Sequence, residues 1–312
     1  MKDSRPVIDK GEMPHEHHLT IKPQEPFNYT INLGYLARSS NECMYVIDDK
    51  RLIRMIPVGD TYVIAEVNSP DDHVLHIKLR SRHPLSPKQL NTVKQYVTDW
   101  FDLDTDLDNF YEQARGDDLL RNVVTDFHGL RILGISDLFE ALCWGILGQQ
   151  INLAFAYTLK RRLVEQFGTS CQWEGHTLWA FPTPETLAQL EVNDLTPLQL
   201  TTRKAEYIIG VAKLMSEGSL SKDQLLQHTD LKSAEKELVK IRGIGPWTAN
   251  YVCMRCLRFL NSFPIEDVGL HNAIKQLLNL EKKPSIAEIR GLSTGWAGWE
   301  AYATFYLWRT IY

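Results

Sequence analysis

Between about residues 27 and 82, apolar and polar positions fall into short runs bounded by turn residues; from residue 87 onward they recur with a helical period. The short runs cover residues 44–49, 51–58, 61–67 and 73–80. Asn41, Asp48-Asp49, Gly59-Asp60 and Ser69-Pro70-Asp71-Asp72 separate them. Strict alternation through His73-Val74-Leu75-His76-Ile77-Lys78-Leu79-Arg80 predicts a half-buried antiparallel strand, and the set predicts a meander of four or five strands. Residues 32–38 read equally as a helical turn or a loop. After Ser86-Pro87 the pattern predicts helices over 87–101, 107–114, 117–126, 136–167 (one long or two abutting), 184–191, 197–217, 221–227, 231–240, 246–260, 268–278, 285–290 and 297–311. Strands followed by helices indicate an α+β protein with segregated parts. The expected division is a flexible lead-in over residues 1–24, an N-terminal antiparallel sheet domain over 25–100 and an all-helical body over 101–312.

Composition leaves that picture intact. The 312 residues are 44% hydrophobic and 23% charged, close to an average globular protein. No apolar run approaches the roughly 18–20 residues that span a bilayer, and the polar N-terminal stretch has no signal-peptide apolar segment. The expected location is the cytoplasm, beside the nucleoid if the source is bacterial, and the five cysteines are expected reduced. The His15-Glu16-His17-His18 cluster lacks the supporting shell of a metal site, so no metal or cofactor is expected there. A net charge of −5 speaks against polyanion binding until it is resolved along the chain. Residues 99–118 carry −7, whereas residues 201–258 carry +4, so an anionic partner is expected to meet the second region.

That region holds Ile241-Arg242-Gly243-Ile244-Gly245-Pro246-Trp247-Thr248-Ala249-Asn250-Tyr251. Two glycines flank one apolar residue after a helix, and Pro246 suits the first position of the next. The pattern predicts a helix–hairpin–helix at about 231–258. The unpaired N–H groups opening its second helix form an anion site that binds phosphate without reading sequence. Arg242, Gly243, Gly245 and Thr248 are therefore candidate DNA contacts. About twenty residues on, Phe263-Pro264-Ile265-Glu266-Asp267-Val268-Gly269-Leu270 places a carboxylate at a helix start. An N-cap explains it structurally, yet a carboxylate near a phosphate anchor points to chemistry.

These stretches, with Ile146-Leu147-Gly148-Gln149-Gln150-Ile151, Phe181–Leu187, Arg203-Lys204-Ala205-Glu206 and residues 296–303, resemble the helix–hairpin–helix DNA glycosylase superfamily, specifically its AlkA-type 3-methyladenine branch. The resemblance covers residues 100–312 strongly and extends faintly to Pro26–Tyr29 and Leu33–Leu36. It implies a body of two helical subdomains with the active site between them, and a monofunctional enzyme that removes alkylated bases from duplex DNA by base flipping. It also implies that Asp267 stabilises the oxocarbenium-like sugar and directs water, and that Trp247, Tyr251, Trp308 and Tyr35 form the base pocket. Gln150, or its neighbour Gln149, then fills the gap left in the duplex. Val268 stands where an aromatic is expected, implying a wider pocket. Hairpin carbonyls of this type can hold a monovalent cation, and the protein is expected to act as a monomer. Cys253-Met254-Arg255-Cys256 reads as helix core, without the iron–sulfur loop of a related branch. The alternatives are an 8-oxoguanine glycosylase/lyase, which needs a lysine at position 247, and a non-catalytic DNA-binding hairpin protein, which does not need Asp267.

Overall fold

The computed structural model describes residues 13–311. The sheet begins earlier than the hydrophobic pattern suggests. Strand β1 (His15–Ile21) pairs antiparallel with β5 (Leu75–Ser81), His17 opposite Leu79 and Ile21 opposite Leu75. Residues 15–21 are therefore an ordered edge strand of the sheet; the part of the expected lead-in before residue 13 lies outside the described residues. The three histidines sit on this strand, where Leu85 N–H donates to His17 Nε2 and His18 Nε2 lies 2.8 Å from Glu16.

The ambiguous stretch after β1 is helix α1 (Tyr29–Leu36), started by Asn28, whose Oδ1 accepts the Ile31 N–H. Strands β2 (Val46–Asp48), β3 (Arg51–Val58) and β4 (Thr61–Asn68) then complete a five-stranded sheet of order β1-β5-β4-β3-β2. Burial alternates along β5, as its sequence pattern requires, but β3 and β4 are buried on both faces. The cover is helix α2 (Pro87–Phe101) on one side. On the other is a hairpin the periodicity did not reveal, β6 (Thr169–Trp173) and β7 (His176–Ala180), packing Cys171, Leu178 and Ala180 on Ile53, Met55 and Ile64. Its turn, Glu174-Gly175, has φ of 45° and 82°, the doubly positive pattern of a two-residue hairpin loop.

Helices α3 (Asp108–Gly116) and α4 (Leu120–Asp126) follow α2. The long helical stretch is two helices, α5 (Leu138–Leu147) and α6 (Leu153–Phe167), because the chain turns at residues 148–152 and Asn152 caps the second. Beyond β7 come α7 (Pro184–Ala188), α8 (Val192–Leu195), α9 (Thr202–Ser216), α10 (Lys222–Leu226), α11 (Leu231–Leu238), α12 (Pro246–Arg255), α13 (Val268–Leu277), α14 (Ile286–Leu292) and α15 (Glu300–Arg309). A short 3-10 turn over Thr196–Leu198 replaces the expected start of α9.

Besides the small cluster under the β6–β7 hairpin, two large hydrophobic cores result among the described residues. One runs without interruption from the sheet through α1 to α4 and on to α13 to α15, so sheet and last helix share an interior. The other joins α5, α6, α9, α11 and α12. Helix α12 belongs to both: Tyr251 and Met254 face the first core, whereas Ala249, Val252, Cys253 and Cys256 face the second. A buried ionic cluster ties the parts together, with Glu140 bonded to Arg54 on β3 (3.2 Å) and to Lys160 on α6 (3.0 Å). Burial pushes the Glu140 carboxyl up, but Lys160 and Arg54 outweigh that and hold it below its usual range.

Candidate active site

A cleft of about 1200 Å³ opens where the two cores meet, lined by α1, the α5–α6 turn, the hairpin, α12, the start of α13 and the end of α15. The hairpin occupies one lip. Gly243 has φ 94°, and a Cβ there would lie 2.3 Å from the Tyr207 ring, so only glycine fits. Ile244 is buried between the helices. Gly245 differs: its φ is −89° and a Cβ added there would meet nothing within 4 Å. It precedes Pro246 at the start of α12, where no side chain caps the helix. The first-turn N–H groups thus keep their capacity for an anion.

The side chains around this terminus are less available than their types suggest. Arg242 lies 2.6 Å from Glu206, and Lys240 is held by Glu237. The Thr248 hydroxyl, expected to touch DNA, is buried at 2% exposure and accepts the Gln149 side chain, so only the backbone of Thr248 can serve the anion site. The charge asymmetry also partly cancels inside the fold, because Arg258 pairs with Asp99 and Asp102 while Lys222 approaches Asp99.

The α5–α6 turn lies directly against the hairpin, and it separates the two glutamines. Gln149 Nε2 donates to Gly243 O (2.8 Å) and Thr248 Oγ1 (3.2 Å), bracing the turn against the hairpin. Gln150 is exposed with φ 57°, a left-handed conformation uncommon outside glycine. Buried Lys204 of α9 donates to Leu147 O (2.7 Å) and fixes the end of α5 behind it. Burial pulls that ammonium below its ordinary range.

Asp267 lines the same cleft. It is the N-cap of α13, with Oδ1 accepting the Leu270 N–H at 2.9 Å. Two indoles complete its surroundings: Trp308 Nε1 donates to Oδ1 (2.8 Å) and Trp247 Nε1 donates to Oδ2 (3.0 Å). Three donors fix the carboxylate in place, with no lysine or arginine paired to it among the described residues. Glu266 beside it is exposed, and Val268 is 61% exposed at the cleft mouth.

The aromatics expected together are together. Trp247 stacks on Tyr251, centroids 5.5 Å apart, and Tyr251 lies 6.1 Å from Trp308. Tyr35 reaches the cleft from α1 and packs on Phe305 of α15 at 4.5 Å. Trp308 is both core and site: it is 5% exposed, yet its indole N–H points at Asp267. Two cleft arginines carry no motif and were missed in the sequence, Arg38 just beyond α1 and Arg255 on α12. Arg255 appears there only as the interior of a CxxC. The flanking thiols are core, and burial pushes Cys253 and Cys256 up to about 12. Among the described residues no group of His, Cys, Asp and Glu could hold a metal ion, and no helix is long and apolar enough to cross a membrane.

A carboxylate clamped by indoles beside an uncapped hairpin helix defines a class, and family models match in the same terms. The model for HhH-GPD superfamily base excision DNA repair proteins covers residues 143–297, and the one for the 8-oxoguanine DNA glycosylase N-terminal domain covers residues 30–142. A DNA-3-methyladenine glycosylase of Bacillus subtilis is 48% identical over 94% of this chain and 97% of its own length. DNA-3-methyladenine glycosylase 2 of Escherichia coli is 28% identical over 93% and 96%. A solved structure of a 3-methyladenine DNA-glycosylase from Archaeoglobus fulgidus shares the fold, with TM-score 0.80 and 22% identity over 93% of this chain and 97% of that one. The chain belongs to the AlkA-type DNA-3-methyladenine glycosylases of the HhH-GPD superfamily.

Proposed function

We propose that the protein is a monofunctional base-excision DNA glycosylase that hydrolyses the N-glycosidic bond of alkylated purines, the 3-methyladenine and 7-methylguanine class, in duplex DNA. The observation that carries this reading is the Asp267 carboxylate, held between two indole N–H groups in an aromatic cleft beside the hairpin.

The hairpin N–H groups hold a backbone phosphate, supported by Gly243 and Gly245 and by Arg242 once it exchanges Glu206 for the phosphate. Gln150 enters the space vacated by the flipped nucleotide, and its left-handed backbone thrusts it outward for that purpose. The base lies against Trp247, Tyr251, Trp308 and Tyr35. As the C1′–N bond breaks, its electron pair leaves with the base and positive charge grows on the sugar. Asp267 stabilises that charge and orients the water that adds to C1′. An alkylated purine already carries positive charge, so it departs neutral and needs no strong acid. Position 247 is tryptophan, and among the described residues the one lysine lining the cleft, Lys240, is on the hairpin and paired with Glu237, so none of these residues places an amine to form a Schiff base. The enzyme works as a monomer. A monovalent cation at the hairpin would share its carbonyls with existing bonds, since Gly243 O accepts Gln149 and Ile241 O accepts the Ile244 N–H.

The test is incubation with duplexes bearing single 3-methyladenine or 7-methylguanine residues. Release of the base with the abasic strand left uncut is expected. Absence of release, or stoichiometric borohydride trapping of a protein–DNA adduct, overturns the reading.

A further inference from the structure

A second, smaller cavity lies behind the aromatic wall of the cleft. Its volume is about 40 Å³, and Arg38, Trp144, Tyr251 and Arg255 line both spaces, so the two adjoin. The other charged groups around it come from each part that meets there: Arg54 on β3, Glu140 on α5, Lys160 on α6 and Glu42 in the loop before β2.

Four cationic side chains and two carboxylates thus face one small space, a net of two positive charges. The carboxylates are already engaged. Glu140 holds Arg54 and Lys160, at 3.2 and 3.0 Å, and Glu42 lies 3.4 Å from Lys160. Arg38 and Arg255 have no carboxylate partner among the described residues. Arg38 donates to Tyr35 O and lies over the Tyr35 and Tyr157 rings, while Arg255 donates to Leu133 O and the Tyr251 hydroxyl. The phenols do not supply the missing charge, because burial pushes those of Tyr45, Tyr157 and Tyr251 up and keeps them protonated. One donor is unspent. Arg54 is 7% exposed, and its buried Nε–H meets no acceptor among the described residues.

A buried cation is costly unless an opposite charge accompanies it, and a buried donor is costly without an acceptor. The space decides what can serve as both. At roughly 10–15 Å³ per water, the cavity takes about three water-sized atoms. A monatomic anion with a water or two fits, and a tetrahedral oxyanion does not. We propose that this cavity is a halide site, in which a chloride accepts the Arg54 Nε–H and balances the charge that Arg38 and Arg255 bring to the back of the cleft. The ion joins the sheet to α12 and to the end of α1, completing the ionic cluster that Glu140 begins. Water alone would satisfy the donor but leave both charges uncompensated.

The experiment compares melting temperatures in sodium chloride and in sodium gluconate at equal ionic strength, for the wild type, Arg54→Met and Glu42→Gln, beside a bromide-soaked crystal of the wild type. Chloride should raise the wild-type midpoint by about 2–4 °C over gluconate, which is too large to enter. The shift should vanish in Arg54→Met, which removes the unspent donor. It should grow in Glu42→Gln, whose amide oxygen keeps the Cys43 and Met44 N–H bonds while the cavity gains a net positive charge. Bromide should give an anomalous peak in the cavity beside Arg54. Equal midpoints in the two salts, an undiminished shift in folded Arg54→Met, or a crystal without that peak overturns the proposal and leaves the cavity to water. Should Arg54→Met fail to fold, the other two arms decide, and a shift that shrinks in Glu42→Gln or a missing peak overturns the proposal.

Discussion

Helices α12 and α13 both begin at this cleft, and they begin in opposite ways. Helix α12 starts at Gly245-Pro246 with no side chain on its terminal N–H groups, whereas α13 starts at Asp267, whose carboxylate caps the helix and takes two indole donors besides. Every helix N-terminus carries partial positive charge. Leaving one bare keeps its N–H groups able to take an anion, the phosphate of the proposed function; closing the other with a carboxylate turns the same element into an anionic centre. The lesson is that the cap, not the helix, decides the sign of the site. A DNA glycosylase needs both signs within one cleft, one for the phosphate backbone and one for the sugar cation.

The strongest way to break this contrast is Asp267→Asn. The amide oxygen can keep the Leu270 and Trp308 hydrogen bonds at Oδ1, but an NH₂ then faces the Trp247 N–H, donor against donor. We expect a stability loss of about 1 kcal/mol from that mismatch and a fall in excision of roughly 100-fold or more, since the charge itself is gone. Single-turnover kinetics beside a melting curve separate the two effects. Near-wild-type excision would reduce Asp267 to a structural cap.

The bare terminus is tested at Gly245. Its φ is negative and nothing lies within 4 Å of an added Cβ, so Gly245→Asp should fold normally while placing a carboxylate over the anion seat. Affinity for an abasic-site duplex should fall about 20-fold, the order expected for losing one charged contact and adding repulsion. The same change at Gly243 is no control, because Tyr207 occupies that space. If Gly245→Asp binds as tightly as the wild type, the hairpin turns the chain and does nothing more.

Much of this contrast was legible in the sequence, and the reasons are local. Gly243-Ile244-Gly245-Pro246 announces its own geometry because each residue type fits a backbone demand. Asp267 before an apolar helix announces a cap. What stayed hidden depended on tertiary contact. No spacing shows that Thr248 turns inward to Gln149, or that Arg38, an ordinary basic residue after a helix, lies across Tyr35 in the cleft. The edge strand β1 was hidden because its histidines and glutamate give no apolar alternation, although its pairing with β5 orders it. The hairpin of β6 and β7 left one overlooked trace, Glu174-Gly175 between two short alternating runs.

A finer test concerns how the α13 cap is held. Trp247→Phe keeps a ring to stack on Tyr251 but removes the N–H that reaches Asp267 Oδ2. One donor to a charged acceptor is lost while two remain, so excision should drop about eightfold, well short of the Asp267→Asn effect. Trp308→Phe should behave alike through Oδ1. Should either variant match Asp267→Asn, the indoles do more than hold the carboxylate.

The smallest expected effect separates the two glutamines facing the bare terminus. Gln149 is engaged with Gly243 O and Thr248, whereas Gln150 is exposed in a left-handed conformation. Glycine adopts that conformation without the steric penalty of a side chain, so Gln150→Gly should leave stability unchanged or raise it by up to about 1 kcal/mol. If the amide fills the gap in the stack, the same variant should excise about threefold more slowly from a duplex, where pairing and stacking oppose extrusion. On single-stranded DNA, which needs no plug, its rate should equal the wild type's. Gln149→Ala should show the reverse pattern, a lower melting temperature from the lost brace and equal proportional losses on both substrates. A Gln150→Gly variant slowed equally on duplex and single strand would show that the left-handed residue shapes the turn and does not enter the DNA.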